Sequence, residues 1–457
     1  MKKVALINPK GGKRFTVFEP LNIGFIASYL EKHGVEVSLI DESAGQNLEY
    51  ELRRYKPDIV GITALTFLAP RAYKIARMCK DMGILTVMGG VHASVLPEEA
   101  LQHVDVVVKG EGEVAMLDII ENNIRSGVVT RPYIQDLDES PFPARHLMQM
   151  DFYLTSRDRL LQHIISYVPP GMKSATMLTS KGCPYSCTFC HNSWRGIPFR
   201  FSSPERVLEE MKELVEKYRI GALFFAEDNF FVNKLRAKRI CQLIIDEGLN
   251  LIWGANSRVD NLNEDVLRIA KKAGCKQITF GFESGSQRIL DILNKGTTVE
   301  QNRAAIELCH KVGISAQGSV MIGNPTETLD DIKATQRFLE EIKLEDVGIV
   351  ITTPYPGTAL WKQCEEHNLI PTGVKWEDFD TNNVVIPVCE TILPKEIERL
   401  QVEMNAMMAM RNPMRLLGLV ERGLVTPRHL IELLRNPQLA FSLFKALWRW
   451  ITRRVLL

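Results

Sequence analysis

The chain has almost no charge imbalance, with 56 Lys and Arg against 55 Asp and Glu in 457 residues. No global field therefore draws it toward nucleic acid or a strongly acidic partner. Its nine cysteines are too few for a disulfide scaffold at this length. A long apolar run is missing from the start: MKKVALINPK has a basic pair and a short apolar run before Asn8 and Pro9. That is too short for a signal peptide or a membrane span and reads as a first β-strand. No internal repeat or low-complexity tract stands out. No GxGxxG follows the first strand, since NPKGGK offers only Gly11 and Gly12, which speaks against nicotinamide binding.

What is present suits two domains and an appendage. Residues 1–127 alternate short apolar runs, VALIN, VEVSLID, DIVGIT, LTVMGG and VDVVVKG, with helical patterns ending at Gly34 and Gly83. This is the spacing of βαβ units in a doubly wound, Rossmann-like α/β domain. Residues 128–171 carry Pro132, Pro141, Pro143, Pro169 and Pro170 and read as an extended linker packed on the surface. Residues 172–370 resume the alternation with ATMLTS, ALFFAED, LIWGANS, QITFGFES, SAQGSVMIG and VGIVITT. Six such units fit a partial (β/α)6 barrel of TIM type. Residues 371–457 form a helical C-terminal region.

Three of the nine cysteines fall together in KGCPYSCTFCHNS, as Cys183, Cys187 and Cys190. Such clustering points to a metal site in a reducing, cytoplasmic compartment. Three thiolates on one loop can hold three irons of a [4Fe–4S] cubane and leave the fourth open to a small chelating molecule. A zinc site would want a fourth ligand, and His191, next to Cys190, is awkwardly placed for it. The other six cysteines sit in apolar patterns and read as small core residues. Glu227 and Asp228 follow an apparent strand, where a carboxylate can accept hydrogen bonds from an ammonium group or cap the next helix.

The CxxxCxxC spacing, with Phe189 just before the last cysteine, resembles the signature of the radical S-adenosylmethionine (SAM) superfamily. The resemblance extends to the later strand ends. It places Glu227 and Asp228 near the SAM amino group, with Arg258, Glu283 and Ser284 near its carboxylate and ribose. GSVMIGNPTET, with Gly318, Ile322, Gly323 and Glu327, resembles the segment beside the adenine. The N-terminal region is similar to the cobalamin-binding domain that precedes many such barrels. The match runs through INPKGG, EPLNIGFIASYLEKHG, PDIVGIT ending at Thr63, GGVHASVLPEEAL with Gly89, Gly90 and His92, and VDVVVKGEGE with Gly110, Glu111 and Gly112. No DxHxxG is present to supply a histidine to cobalt. His92 is the nearest candidate, in a different context, and many radical SAM relatives hold cobalamin without such a ligand. A degenerate domain that packs on the barrel or presents substrate is the alternative.

The resemblance implies three cofactors: a [4Fe–4S] cluster, SAM and cobalamin. It also implies reductive SAM cleavage to a 5′-deoxyadenosyl radical and methylation of an unactivated carbon of a small or lipid-like metabolite. Electrons would come from a donor such as flavodoxin or ferredoxin. A cyclising, ring-contracting or oxidising radical SAM enzyme is one alternative, and a non-catalytic iron–sulfur or cobalamin-binding regulator is another of a different class. No catalytic side chain is identified. In the final stretch, Phe441, Leu443, Phe444, Leu447, Trp448, Trp450 and Ile451 are interleaved with Lys445, Arg449, Arg453 and Arg454. Over 436–457 this fits either a helix lying on an anionic membrane surface or one closing the barrel's open end.

Overall fold

The computed structural model describes residues 2–11, 18–155, 165–169, 171–191, 197–342, 344 and 346–411. The aromatic and cationic stretch at 436–457 lies outside them.

The first apolar runs become strands β1 Lys3–Asn8, β2 Glu36–Asp41, β3 Ile59–Thr63, β4 Leu85–Gly89 and β5 Val106–Val108. A sixth strand that the sequence did not suggest, β6 Gly127–Val129, completes the sheet. The order is β2-β1-β3-β4-β5-β6 and every pair is parallel. Both faces are buried, as the near-continuous apolar composition of these strands requires. Ala5, Ile7, Val60, Ile62 and Val107 pack on one side. Val4, Leu6, Ile59, Val106 and Val108 pack on the other. Strand order reverses between β1 and β3, which opens a crevice at their carboxyl ends.

The second sheet starts at β7 Ser174–Met177. A short antiparallel ribbon follows, β8 Ser180–Lys181 against β9 Arg200–Phe201. Then come β10 Ala222–Phe225, β11 Ile252–Ser257, β12 Cys275–Glu283, β13 Ser315–Ile322 and β14 Asp346–Ile351. The order β14-β13-β12-β11-β10-β7, parallel throughout, is that of a partial (β/α)6 barrel. Alternation sorts the side chains: Leu223 and Phe225 join the core with Trp253, while Phe224 packs with Phe18, Ile165 and Tyr167. The helix expected from SPERVLEEMKELVEKYR is Pro204–Tyr218, capped by the Ser203 side chain, which accepts from the Arg206 amide.

Part of the stretch 128–171 is not a surface segment. Ala144, Met148, Met150, Tyr153 and Leu154 are buried, and Arg145 forms a buried ion pair with Glu210 at 2.7 Å. These few apolar residues lie in short turns and one helix, Met150–Thr155, so no long period reveals their burial. The two sheets are tied by Glu19, whose carboxylate accepts from the Thr176 amide at 2.9 Å and hydroxyl at 2.5 Å. Helix Pro394–Arg411 lies against the edge strand β14, where Asn405 Nδ2 donates to the Ile349 carbonyl at 2.9 Å. A covered edge is protected from pairing with another chain. Among the described residues, no helix is long and apolar enough to cross a membrane.

Candidate active site

The cysteine loop leaves β8 through Gly182, at φ 80°. A Cβ there would lie 2.8 Å from the Pro198 carbonyl oxygen, so only glycine fits this turn. Several segments clamp the loop. Thr188 N donates to Leu293 O at 3.0 Å, Asn294 Nδ2 to Ser186 O at 2.8 Å, and Leu360 N to Thr188 O at 2.9 Å. Cys187 is buried, Cys183 and Cys190 are half-buried, and no disulfide links any of the nine cysteines. Burial pushes the Cys183 thiol up, and the Asp228 carboxylate adds to that. Burial also raises Cys187, against the pull of Lys295 and Arg258. Among the described residues, no three His, Cys, Asp or Glu gather as a metal-holding group. Three thiolates on one loop can each take a separate iron of a cubane. The donor set and the clamped loop fit a cluster.

The strand-end residues expected around SAM divide into two sets. Phe189 packs with Ile289, Leu293 and Met321 beside the loop, and Asp228 is exposed with its charge acting on Cys183. Glu283 ends β12 in the left-handed region, at φ 61°. Its carboxylate accepts from Lys295 Nζ at 2.7 Å. A non-glycine residue held there stores strain, a frequent feature of ligand sites. Arg258 also lies here, stacked on Tyr185 at 3.7 Å and paired with Asp260 at 3.0 Å.

The other set is occupied within the protein. The Glu227 carboxylate accepts from the Thr179 amide and hydroxyl, both at 2.7 Å, and burial raises its pKa. Ser284 is fully buried against Thr335 at 3.1 Å. A Cβ on Gly318 would strike Phe282 at 2.3 Å, and one on Gly323 would meet Ile397 at 3.0 Å. These glycines admit neighbouring side chains. Ile322 is fully buried. Glu327 accepts from the Gly323 amide at 2.6 Å, and its Oε1 has no partner. Burial raises its pKa to about 7.

At the carboxyl ends of β1, β3, β4 and β5 lies a pocket of about 240 Å³. Thr63, Gly89, Gly90, Gly110, Glu111 and Gly112 all line it. So do Leu6, Ile26 and Met116 from behind, and Leu178 and Lys181 from the second half. A Cβ on Gly89 would meet nothing nearer than Val108 at 3.7 Å, so the bare backbone leaves open space there, whereas Gly61 and Gly112 admit the Leu6 and Ile26 side chains, 2.7 and 2.4 Å from where a Cβ would stand. At the rim, Lys181 pairs with Glu113 at 2.5 Å, and Arg200 pairs with Glu111. A glycine-walled cradle at a switch point fits a bulky ligand that approaches the backbone, as cobalamin would. His92 is not among the lining residues. It is fully buried, bonded to Tyr73 Oη at 2.9 Å and packed edge-on against Trp376.

Lys181, Arg200, Glu113, Tyr185 and Lys295 were not singled out in the sequence. Each is an ordinary charged or aromatic residue there, and only its partner from a distant segment marks it.

A parallel partial barrel with a three-cysteine loop at its mouth, behind a domain with a glycine-lined crevice, defines a radical SAM enzyme. Residues 177–339 match the Radical SAM superfamily and residues 11–120 the B12 binding domain. An uncharacterized methyltransferase of Pyrococcus horikoshii is 34% identical over 398 residues, covering 81% of this chain and 83% of that one. The anaerobic magnesium-protoporphyrin IX monomethyl ester cyclase of Rubrivivax gelatinosus is 26% identical over 405 residues, covering 81% and 69%. Among solved structures, the cobalamin-dependent SAM radical enzyme OxsB, with aqua-cobalamin and SAM bound, superposes with a TM-score of 0.71 at 19% identity. That superposition covers 97% of this chain and 72% of OxsB. The chain belongs to the methyltransferase-like family of radical SAM enzymes that carry a cobalamin-binding domain. Its cofactors are a [4Fe–4S] cluster, SAM and cobalamin.

Proposed function

We propose that the protein methylates an unactivated carbon of a small or lipid-like metabolite, with residues 1–127 holding cobalamin and residues 172–370 holding the cluster and SAM. One observation carries this reading: the glycine-walled pocket and the cysteine loop share a peptide. Leu178 and Lys181 line the glycine-walled pocket, and Cys183 stands two residues further on. In this reading Cys183, Cys187 and Cys190 ligate the cluster, and Phe189 walls the SAM site with apolar surface. Asp228 and Glu283 offer carboxylates to the SAM amino and ribose groups. Bound together, the three cofactors supply a one-electron relay, a hydrogen-abstracting radical source and a methyl carrier. The chain supplies position: clamped loops fix the geometry, and the apolar packing of Ile289, Leu293 and Met321 keeps water out. Reduced flavodoxin or ferredoxin is the electron source in this reading.

The test is mass spectrometry on the metabolite that accumulates in a deletion strain, incubated with the anaerobically reconstituted enzyme and SAM carrying a deuterated methyl group. Gain of one labelled methyl supports methyl transfer. An unlabelled product that is cyclised, ring-contracted or oxidised would favour the second reading, which the cyclase relative supports. Recovery of full-length and 1–435 proteins with anionic vesicles tests the membrane contact. Equal recovery of the two in the supernatant removes it.

A further inference from the structure

Arg258 follows β11 and was expected to face the carboxylate of SAM, but its guanidinium is already engaged on nearly every side. Nε and Nη2 donate to the two Asp260 oxygens at 3.1 and 3.0 Å, and Nη2 also donates to the Lys295 carbonyl at 2.7 Å. The Tyr185 ring, within the cysteine loop, lies 3.7 Å away. The remaining nitrogen, Nη1, is 3.8 Å from Cys187 Sγ. Arg258 is 6% exposed and Cys187 7%. A planar fork held on a ring and a carboxylate has little freedom to swing toward another ligand.

We propose that Arg258 is a positioning residue for the cluster, donating an N–H···S hydrogen bond to Cys187 that raises the cluster's reduction potential, instead of a clamp on the SAM carboxylate. The proposal rests on Cys187 being a cluster ligand. Reduction adds one negative charge, which iron shares with its sulfur ligands, so a donor aimed at a ligating sulfur stabilises the reduced form. Burial keeps water from screening the effect. Asp260 offsets part of the Arg258 charge, so the two residues pull the potential in opposite directions.

The experiment is an anaerobic redox titration of the reconstituted full-length protein with dithionite as the electron source. The reduced cluster is read by electron paramagnetic resonance, and binding of radiolabelled SAM is measured alongside. Arg258→Met is expected to shift the one-electron equilibrium at least tenfold toward the oxidised cluster, about 59 mV downward. Arg258→Lys should fall between it and the wild type, and Asp260→Asn should move the potential upward. SAM affinity should stay near that of the wild type.

Unmoved potentials with a large loss of SAM affinity would make Arg258 a SAM ligand and overturn the proposal. Shifts of the same sign in the Arg258 and Asp260 variants would reduce the effect to loop disturbance and overturn it as well. If Arg258→Met does not fold, the Lys and Asn variants decide the sign between them. Cys187→Ala separates the premise: a full cluster in that variant means Cys187 is not a ligand, whereas its loss with unmoved Arg258 potentials rejects only the role given to Arg258.

Discussion

The two sheets share a parallel topology, but their carboxyl strand ends are built in opposite ways. In the first, Gly61, Gly89, Gly90, Gly110 and Gly112 line an open pocket. Gly90, at φ 90°, lies so near Ala64 that a Cβ would fall 2.8 Å from its carbonyl oxygen. In the second, polar and charged groups crowd the ends and already hold one another: Glu227 with the Thr179 hydroxyl, Arg258 with Asp260, Glu283 with Lys295. The first end is shaped by missing atoms and suits a bulky ligand lying against the backbone. The second is a set of polar groups whose partners come from within the protein, so their positions are fixed before any ligand arrives.

The contrast is tested first where the effect is total. Alanine in place of Cys183, Cys187 or Cys190 is expected to abolish the cluster and SAM cleavage while circular dichroism stays native, because the loop lies outside both sheets. A wild-type iron content and cluster absorption in any one variant would remove that residue from the ligand set.

Lys295→Met comes next. It leaves the Glu283 carboxylate buried without its cation, which typically costs about 3–5 kcal/mol. A clear fall in thermal midpoint is expected, largely restored in the Lys295→Met, Glu283→Gln double variant. A double variant no more stable than the single would show that the charge pair is not what holds this end.

At the first sheet the damage should come from adding atoms. Gly89 has only Val108 near its missing Cβ, at 3.7 Å, so Gly89→Val fills pocket space. The added side chain occupies space a ligand would take, so cobalamin retention should drop with iron content unchanged. Unaltered cobalt in the purified variant would argue that the pocket is not the cobalamin site.

Glu327 gives a pH signature. Burial raises its carboxyl from 4.5 to about 7, so the folded state binds a proton more tightly than the unfolded chain. Its contribution to stability is complete below about 4.5 and is lost as the pH rises through about 7, an effect on the order of 3 kcal/mol. Denaturant midpoints of wild type should fall across that window more steeply than those of Glu327→Gln; parallel slopes would refute the assignment. Smallest of all is the expected effect of His92→Gln on cobalamin. The ring sits outside the pocket lining, so cobalt content should match wild type.

The strands were legible because apolar runs of five to nine residues between turn signals leave few other readings. The pocket glycines were legible for a related reason: glycines at strand ends follow the topology that the strands define. β6 escaped because three residues, Gly127–Val129, carry no period. The fates of Glu227, Ser284 and Gly318 were not readable either. A strand-end carboxylate looks the same whether it faces a ligand or Thr179, and Gly318 looks the same whether it admits adenine or the Phe282 ring. In each case the deciding partner arrives from another segment. His92 follows that rule, since Tyr73, Glu99 and Trp376 surround it from three stretches of chain.

Leu178 and Lys181 have a consequence for the order in which the molecule is made. A nascent chain that has emerged as far as Val129 carries all six strands of the first sheet and every glycine of its pocket. It still lacks the two walls that come from beyond β7. The pocket is therefore finished only after the first sheet has been made, by sequence belonging to the other half of the molecule. A graft or proteolytic fragment ending between the sheets carries a cradle with one side open, and a chain must run at least through Lys181 for that side to be closed by the peptide that leads into the cysteine loop.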